Sequence, residues 1–64
     1  MDAFSAELQA AKAQAIADDY AAAAAEEPTP ELAEVLRNRS ELYSRLSRSF
    51  TDFATEVRRR EERP

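Results

Sequence analysis

The chain is 64 residues long, which allows one small domain and is below the size at which a single hydrophobic core usually suffices. It contains no Gly, Cys, His or Trp, which removes disulfide frameworks, Cys/His zinc sites, Ser-His-Asp triads and glycine-rich phosphate loops. Its net charge of −4 has the wrong sign for a protein that binds nucleic acid by neutralising phosphates. We therefore expect no catalytic residues, no cofactor, no metal site and no nucleic-acid partner.

The distribution of charge and hydropathy predicts a cytoplasmic chain. Residues 1–29 carry six acids against one Lys, so the acidity belongs to the first half. The longest apolar run, from Tyr20 to Ala25, has six residues, and the first residues lack the cationic stretch of a secretory signal. We expect no membrane insertion. Eight Arg to one Lys, together with 14 Ala, is typical of the GC-rich genomes of many bacteria and phages.

The first predicted helix spans residues 3–26, which are nearly all good helix formers, with Asp2 or Ser5 as the N-cap. Its large apolar residues advance in steps of four or eight and therefore drift around the helix by about 40° per step. These residues are Phe4, Leu8, Ile16 and Tyr20. We expect no single narrow seam on this helix. Alanine at most other positions predicts a smooth surface that neighbours can approach from more than one side.

Pro28-Thr29-Pro30 is the strongest break in the chain, because each proline disfavours helical backbone in the residue before it. Thr29 as N-cap with Pro30 at the first helical position predicts a second helix from residue 30 to about 61. A turn at 27–29 is short enough to place the helices side by side and antiparallel. The first helix should cover the second to about Phe53, leaving Val57 and residues 58–60 projecting.

The predicted fold class is therefore all-α, a two-helix antiparallel hairpin with a longer second helix and a single domain over residues 1–64. The second helix carries a heptad series that is apolar except for Arg39. Its members are Leu32, Leu36, Arg39, Tyr43, Leu46, Phe50, Phe53 and Val57. One flank of the series continues with Val35 and Leu42, and the other flank is a row of small residues. This pattern predicts two neighbours, one over the Val35 and Leu42 edge and one approaching closely over the small residues.

The predicted interface therefore consists of Leu32, Val35, Leu36, Arg39, Leu42, Tyr43, Leu46, Phe50, Phe53 and Val57. The predicted close-packing edge consists of Ala33, Ser40, Ser47 and Ala54. Within the interface, Arg39 has two interpretations. It either fixes the register by meeting an acid on a partner, or it extends its guanidinium to solvent at the edge of the bundle.

The apolar face is larger than one hairpin of this size can cover, so the pattern predicts that another chain completes a four-helix or larger bundle. The favoured hypothesis is a non-catalytic interaction module, a small accessory or assembly subunit that packs its second helix into a multi-helix interface. Homomeric and heteromeric assembly both satisfy the pattern, and the first helix either folds back or swaps to another chain.

The alternative hypothesis belongs to a different class. A small acidic homodimeric regulator or inhibitor, such as an antitoxin-like or phage-type antagonist, would mask a surface of an enzyme or transcription component with its acidic first half. A helix lying on a membrane surface is the least favoured, because the polar face of the second helix mixes both charge signs.

Overall fold

The computed structural model describes residues 1–62, which form two α-helices joined by a short connection. Helix α1 (Ala3–Glu26) and helix α2 (Pro30–Glu62) pack against each other as a hairpin. The all-helical hairpin predicted from the sequence is confirmed. The molecule measures 55 × 14 × 13 Å and is therefore a narrow rod of two helices. The predicted domain extends to Pro64, and residues 63 and 64 lie outside the described part of the chain.

Helix α1 begins with a side-chain cap. Asp2 has extended backbone angles, and its carboxylate accepts a hydrogen bond of 2.7 Å from the backbone N–H of Ser5. Its carbonyl accepts the first helical bond, from the N–H of Ala6, at 3.0 Å. The hydrogen bonds from Ser5 hold the pKa of the Asp2 carboxyl below its ordinary value. Of the two caps considered from the sequence, the structure uses Asp2.

The connection at residues 27–29 satisfies its backbone groups locally. The Glu27 N–H donates to the carbonyl of Ala24 at 3.3 Å, and the Thr29 N–H donates to Oε1 of Glu27 at 3.2 Å. The carbonyl of Thr29 accepts from the N–H of Ala33 at 2.9 Å, which opens α2. Pro30 occupies the first helical position, where a missing N–H costs no helical bond. The chain therefore reverses direction within three residues.

The core between the helices is built from small side chains. Helix α1 buries six alanines that occupy two heptad positions, namely Ala3, Ala6, Ala10, Ala13, Ala17 and Ala24. Helix α2 buries Ala33, Ser47 and Ala54, which are seven or fourteen residues apart. None of the large side chains in residues 1–62 is completely buried. The helices therefore hold together by close approach of their backbones, and not by interlocking large side chains.

Two serine hydroxyls fix the register of the two helices. The Ser47 hydroxyl donates to the carbonyl of Ala10 at 2.8 Å, and the Ser40 hydroxyl donates to the carbonyl of Ala17 at 2.7 Å. The two bonds are one heptad apart on both helices, so they repeat the same contact. A hydroxyl reaches a backbone carbonyl across the interface only where no larger side chain separates the helices. The row of small residues on α2 is therefore the edge that α1 covers.

Larger side chains line the rim of this contact. The rings of Tyr20 and Tyr43 stack with centroids 5.8 Å apart and an interplanar angle of 20°. Side chains lean toward the N-terminus of their own helix, so in an antiparallel pair Tyr20 and Tyr43 lean toward each other. The stack covers the middle of the seam on one side of the hairpin.

The part of α2 that projects beyond α1 is shorter than the sequence predicted. Val57 packs against the cluster of Ala3, Ala6 and Ala54, and therefore does not project. Arg58 forms an ion pair with Glu7 of α1. The predicted limit of the contact, at about Phe53, is nearly right for the backbone, because Ala3 at the start of α1 lies beside Ala54. The prediction did not include the length of the side chains, and those of Val57 and Arg58 extend the contact with α1 by about one further turn.

Candidate interaction surface

Helix α2 carries two heptad series that lie side by side. The inner series faces α1 and consists of Ala33, Leu36, Ser40, Tyr43, Ser47, Phe50, Ala54 and Val57. The outer series begins one residue earlier and consists of Leu32, Val35, Arg39, Leu42, Leu46, Ser49, Phe53 and Glu56. Both series alternate steps of three and four, which is the spacing of a coiled-coil seam. Only the inner series is covered in the hairpin.

The outer series exposes large apolar side chains. Leu42 is 58% exposed and Leu32 is 54% exposed, and Val35, Leu46 and Phe53 are each more than 40% exposed. Leucine, valine and phenylalanine at this spacing form an apolar stripe along one edge of α2, which Arg39 and Ser49 interrupt. An exposed apolar stripe on a protein this small makes this edge of α2 the candidate interaction surface.

Helix α1 and the N-terminus extend the stripe. Met1 lines a shallow apolar groove together with Leu46, Ser49, Phe50 and Phe53. At the other end of the hairpin, Ile16 and Tyr20 line a second depression with Leu36, Asp19 and Ala23. These two depressions show that the apolar edges of both helices lie on one side of the hairpin. We call this side the apolar face.

The opposite side of the hairpin is polar. One groove there is lined by Ser40, Glu41, Ser44, Arg45 and Arg48. The ion pair of Arg58 with Glu7 and a depression containing Arg37 and Glu41 lie along the same side. The hairpin is therefore two-sided, with charges of both signs opposite the apolar face.

The structure divides the predicted interface residues into two groups. Leu36, Tyr43, Phe50 and Val57 are half-buried at the rim of the seam, whereas Leu32, Val35, Arg39, Leu42, Leu46 and Phe53 are exposed. The heptad series read from the sequence took alternate members from the inner and outer series. The predicted close-packing edge of Ala33, Ser40, Ser47 and Ala54 lies against α1.

Arg39 lies in the middle of the outer series. It is exposed, and no acid lies within ion-pair distance of it in residues 1–62. Its guanidinium is available for a contact that the hairpin does not supply.

The alanine heptad of α1 is not among the features predicted from the sequence. The sequence analysis expected no single seam on α1 and assigned none of its sides to α2, and its large residues Phe4 and Leu8 are 72% and 46% exposed. The available signal was the spacing of the alanines, which follows a 3,4 alternation from Ala3 to Ala17. That signal is weak in a helix with so much alanine, since alanine also satisfies helix propensity alone.

The remaining chemistry of the surface is sparse. No three carboxylates converge within residues 1–62, although Asp18, Asp19 and Glu26 are exposed on α1. Over the same residues, neither helix combines the length and apolar character needed to span a bilayer. Comparison with known protein families, characterised proteins and solved structures finds no match to this chain. The apolar face is therefore the feature from which a function can be argued.

Proposed function

We propose that this chain is a non-catalytic protein–protein interaction module, a small accessory or assembly subunit of a larger protein assembly. Its apolar face packs into a multi-helix interface, and another chain completes a bundle of four or more helices. The proposal includes a cytoplasmic setting and no cofactor, metal or nucleic-acid partner. The observation that supports it most is the unoccupied outer series of α2, which has the spacing of a helix-packing seam.

The physical argument is the cost of leaving this face in water. Each large apolar side chain that becomes fully buried contributes about 1.5–3 kcal/mol. The hairpin itself buries mainly alanines, so most of the available hydrophobic stabilisation lies in side chains that are still exposed. A helical partner that covers the outer series gains this contribution without rearranging the α1–α2 seam.

The experiment that tests the proposal compares two Leu→Asp variants. Leu46 is 43% exposed and lies in the outer series, whereas Leu8 is 46% exposed, lies on α1 and lines neither depression of the apolar face. The substitutions match in chemistry and in starting exposure, so they differ in the surface that they alter. Each variant is expressed in the cells of origin and purified with its bound proteins.

We expect Leu46→Asp to abolish binding of the proteins that accompany the unaltered chain, because burial of an unpaired carboxylate is costly. Leu8→Asp should retain them. Circular dichroism of both variants checks that the hairpin remains helical. Equal retention by both variants would contradict the proposal.

A second candidate function is a small acidic homodimeric regulator or inhibitor that masks an enzyme or transcription component. The observation in its favour is the exposure of Asp18, Asp19 and Glu26 on a helix whose single cation is Lys12. Such a surface is suited to a basic groove. Replacing Asp18 and Glu26, which line neither depression of the apolar face, by their amides should abolish binding of this kind of partner and leave binding through the apolar face unchanged.

A further inference from the structure

We infer that the apolar face is covered by a second copy of this chain, with the two α2 helices antiparallel about a two-fold axis near Leu42 and Leu46. This inference rests on the proposed function, because it requires the apolar face to bind protein. It goes further by naming the occupant and the orientation. Three properties of the outer series support it, namely its area, the order of its residues and its charges.

The area of the face suits a symmetric dimer. From the exposed fractions of its side chains, the apolar face presents on the order of 800 Å², which is the area that each partner contributes to a standard interface. Two identical faces therefore bury about the amount that a specific dimer requires. The face is also nearly as long as the hairpin, from Leu32 at one end to Met1 and Phe53 at the other.

The order of residues in the outer series selects the antiparallel direction. With Leu42 facing Leu46 of the second copy, Val35 faces Phe53 of that copy, so a small side chain lies opposite a large one. Arg39 then faces Ser49 of the second copy. In a parallel pair, by contrast, Arg39 would meet Arg39 and Glu56 would meet Glu56 in the seam. Two like-charge contacts at buried positions disfavour that direction.

The charges beside the outer series add to this preference. A helical side chain leans toward the N-terminus of its helix, which brings Arg39 toward Asp52 of the second copy. At the ends of the seam, Glu31 lies near Arg59 of the second copy. Each of these opposite-charge contacts occurs twice by symmetry. Two contacts oppose them, that of Arg45 with its own counterpart across the axis and that of Glu31 with Glu56 of the second copy. All of these side chains are solvent-exposed, so both contacts are screened.

This arrangement also uses one of the two depressions on the apolar face. The groove lined by Met1, Phe50 and Phe53 lies beside the end of the outer series that receives Val35 of the second copy. The result is a four-helix arrangement in which the α2 helices are central and the α1 helices lie outside. The acids of α1 then remain in solvent.

Single-cysteine cross-linking tests this geometry, because the chain contains no cysteine of its own. The two variants are Leu32→Cys and Glu56→Cys, which alter exposed positions at opposite ends of the outer series. In the antiparallel dimer, residue 32 lies beside residue 56 of the second copy and about 36 Å from residue 32. A disulfide requires the two Cα atoms to lie within about 7 Å.

We expect a disulfide-linked dimer when the two variants are mixed in a glutathione redox buffer, and a loss of at least tenfold in yield for either variant alone. Leu8→Cys, at an exposed position of α1 that lines neither depression of the apolar face, serves as the control for random collisions. Efficient linkage of each variant to itself would overturn the antiparallel arrangement. The mass of the unaltered chain, measured by sedimentation at micromolar concentration, should be twice that of the monomer.

The outcomes separate this inference from the proposed function. A monomeric mass without cross-linking, but with protein capture that Leu46→Asp abolishes, would overturn the second copy and leave the interaction module intact. A monomeric mass without any such capture would overturn both. Circular dichroism of the two cysteine variants excludes unfolding as the reason for a negative result.

Discussion

The inner and outer series of α2 have the same period and differ in the size of their residues. At every second position, the inner series has Ala or Ser, and these residues allow α1 to approach until hydroxyls reach its backbone. At the equivalent positions, the outer series has Leu32, Arg39, Leu46 and Phe53, which are too large for such an approach. Helix α2 therefore has two seams. The inner seam, with its small residues, is covered by α1 within the chain, and the outer seam, with its large residues, is exposed. A helix packed on the outer seam would lie farther from α2 than α1 does, because the side chains there are larger.

The largest expected effect is the destruction of the inner seam by overpacking. Ala10 is 7% exposed and faces Ser47, whereas the adjacent Ala11 is exposed. We expect Ala10→Leu to lower the free energy of unfolding by about 1–3 kcal/mol or more, because the backbones must separate. Ala11→Leu makes the same chemical change and should have little effect. Urea denaturation followed by circular dichroism measures both, and equal stability of the two variants would contradict the alanine seam.

The next effect concerns the outer series. Leu46→Asp should weaken self-association by at least tenfold, equivalent to about 1.4 kcal/mol, since it introduces a carboxylate into the covered face. Leu8→Asp should leave the dissociation constant unchanged. Sedimentation over a range of concentrations measures both constants. Unlike Ala10→Leu, the Leu46→Asp substitution should leave the α1–α2 contact intact.

Removing one interhelical hydroxyl should have a smaller effect on the inner seam. Ser47→Ala loses the hydrogen bond to the carbonyl of Ala10, which we expect to cost about 1 kcal/mol. Ser49→Ala, in the outer series, makes the same gain in helix propensity and loses no interhelical bond within the hairpin. The difference between their unfolding free energies therefore isolates the buried hydroxyl. No difference would show that the hydroxyl contributes nothing beyond its small size.

A charge exchange tests the outer series with a smaller effect. Arg39→Asp and Asp52→Arg should each weaken the dimer, because each places like charges beside one another, by about 0.5–1 kcal/mol per contact. The double variant restores opposite charges and should recover most of the affinity. Arg48→Asp, on the polar side, is the control. If the double variant loses as much dimer affinity as the two single variants together, Arg39 and Asp52 do not contact each other in the dimer.

The smallest effect is the pH dependence of the α1 cap. The pKa of Asp2 is lower in the hairpin than in the unfolded chain, because its carboxylate accepts hydrogen bonds from Ser5. Its contribution to stability is therefore complete above the ordinary carboxyl pKa of about 3.9 and is lost as the pH falls through the lower folded value. The protection of the Ser5 amide from hydrogen exchange, relative to its intrinsic rate at each pH, should fall over that range. Asp2→Asn, which keeps a capping oxygen, should remove the pH dependence.

The sequence predicted the helices and the turn because their signals are local. Pro28 and Pro30 restrict the backbone near them, and Asp2 and Ser5 are capping residues wherever they occur before a helix. The row of Ala33, Ser40, Ser47 and Ala54 was also identifiable, because small residues at a period of seven are unusual in a helix rich in Leu and Arg.

The edge of α1 that packs against α2 was not predictable in the same way. It depends on which residues α1 presents, and in a helix with 12 alanines the six that face α2 do not differ from the others in type. The large residues Phe4, Leu8 and Ile16 drift around α1, so the sequence assigned no side of this helix to the contact with α2. The seam on α1 is defined by the position of Ala10 and Ala17 opposite the serines, which is a tertiary property.

The serine bonds have a further consequence for the turn. Since alanine and serine positions recur every seven residues, sliding α2 along α1 by about 10.5 Å would place Ser47 at Ala17 and Ser40 at Ala24. The hydroxyls would find equivalent carbonyls there. The seam thus allows two registers, seven residues apart, with equivalent hydrogen bonds. The short connection at residues 27–29 determines which register forms. Lengthening that loop would produce a protein with two competing alignments, of which only one keeps the Tyr20–Tyr43 stack.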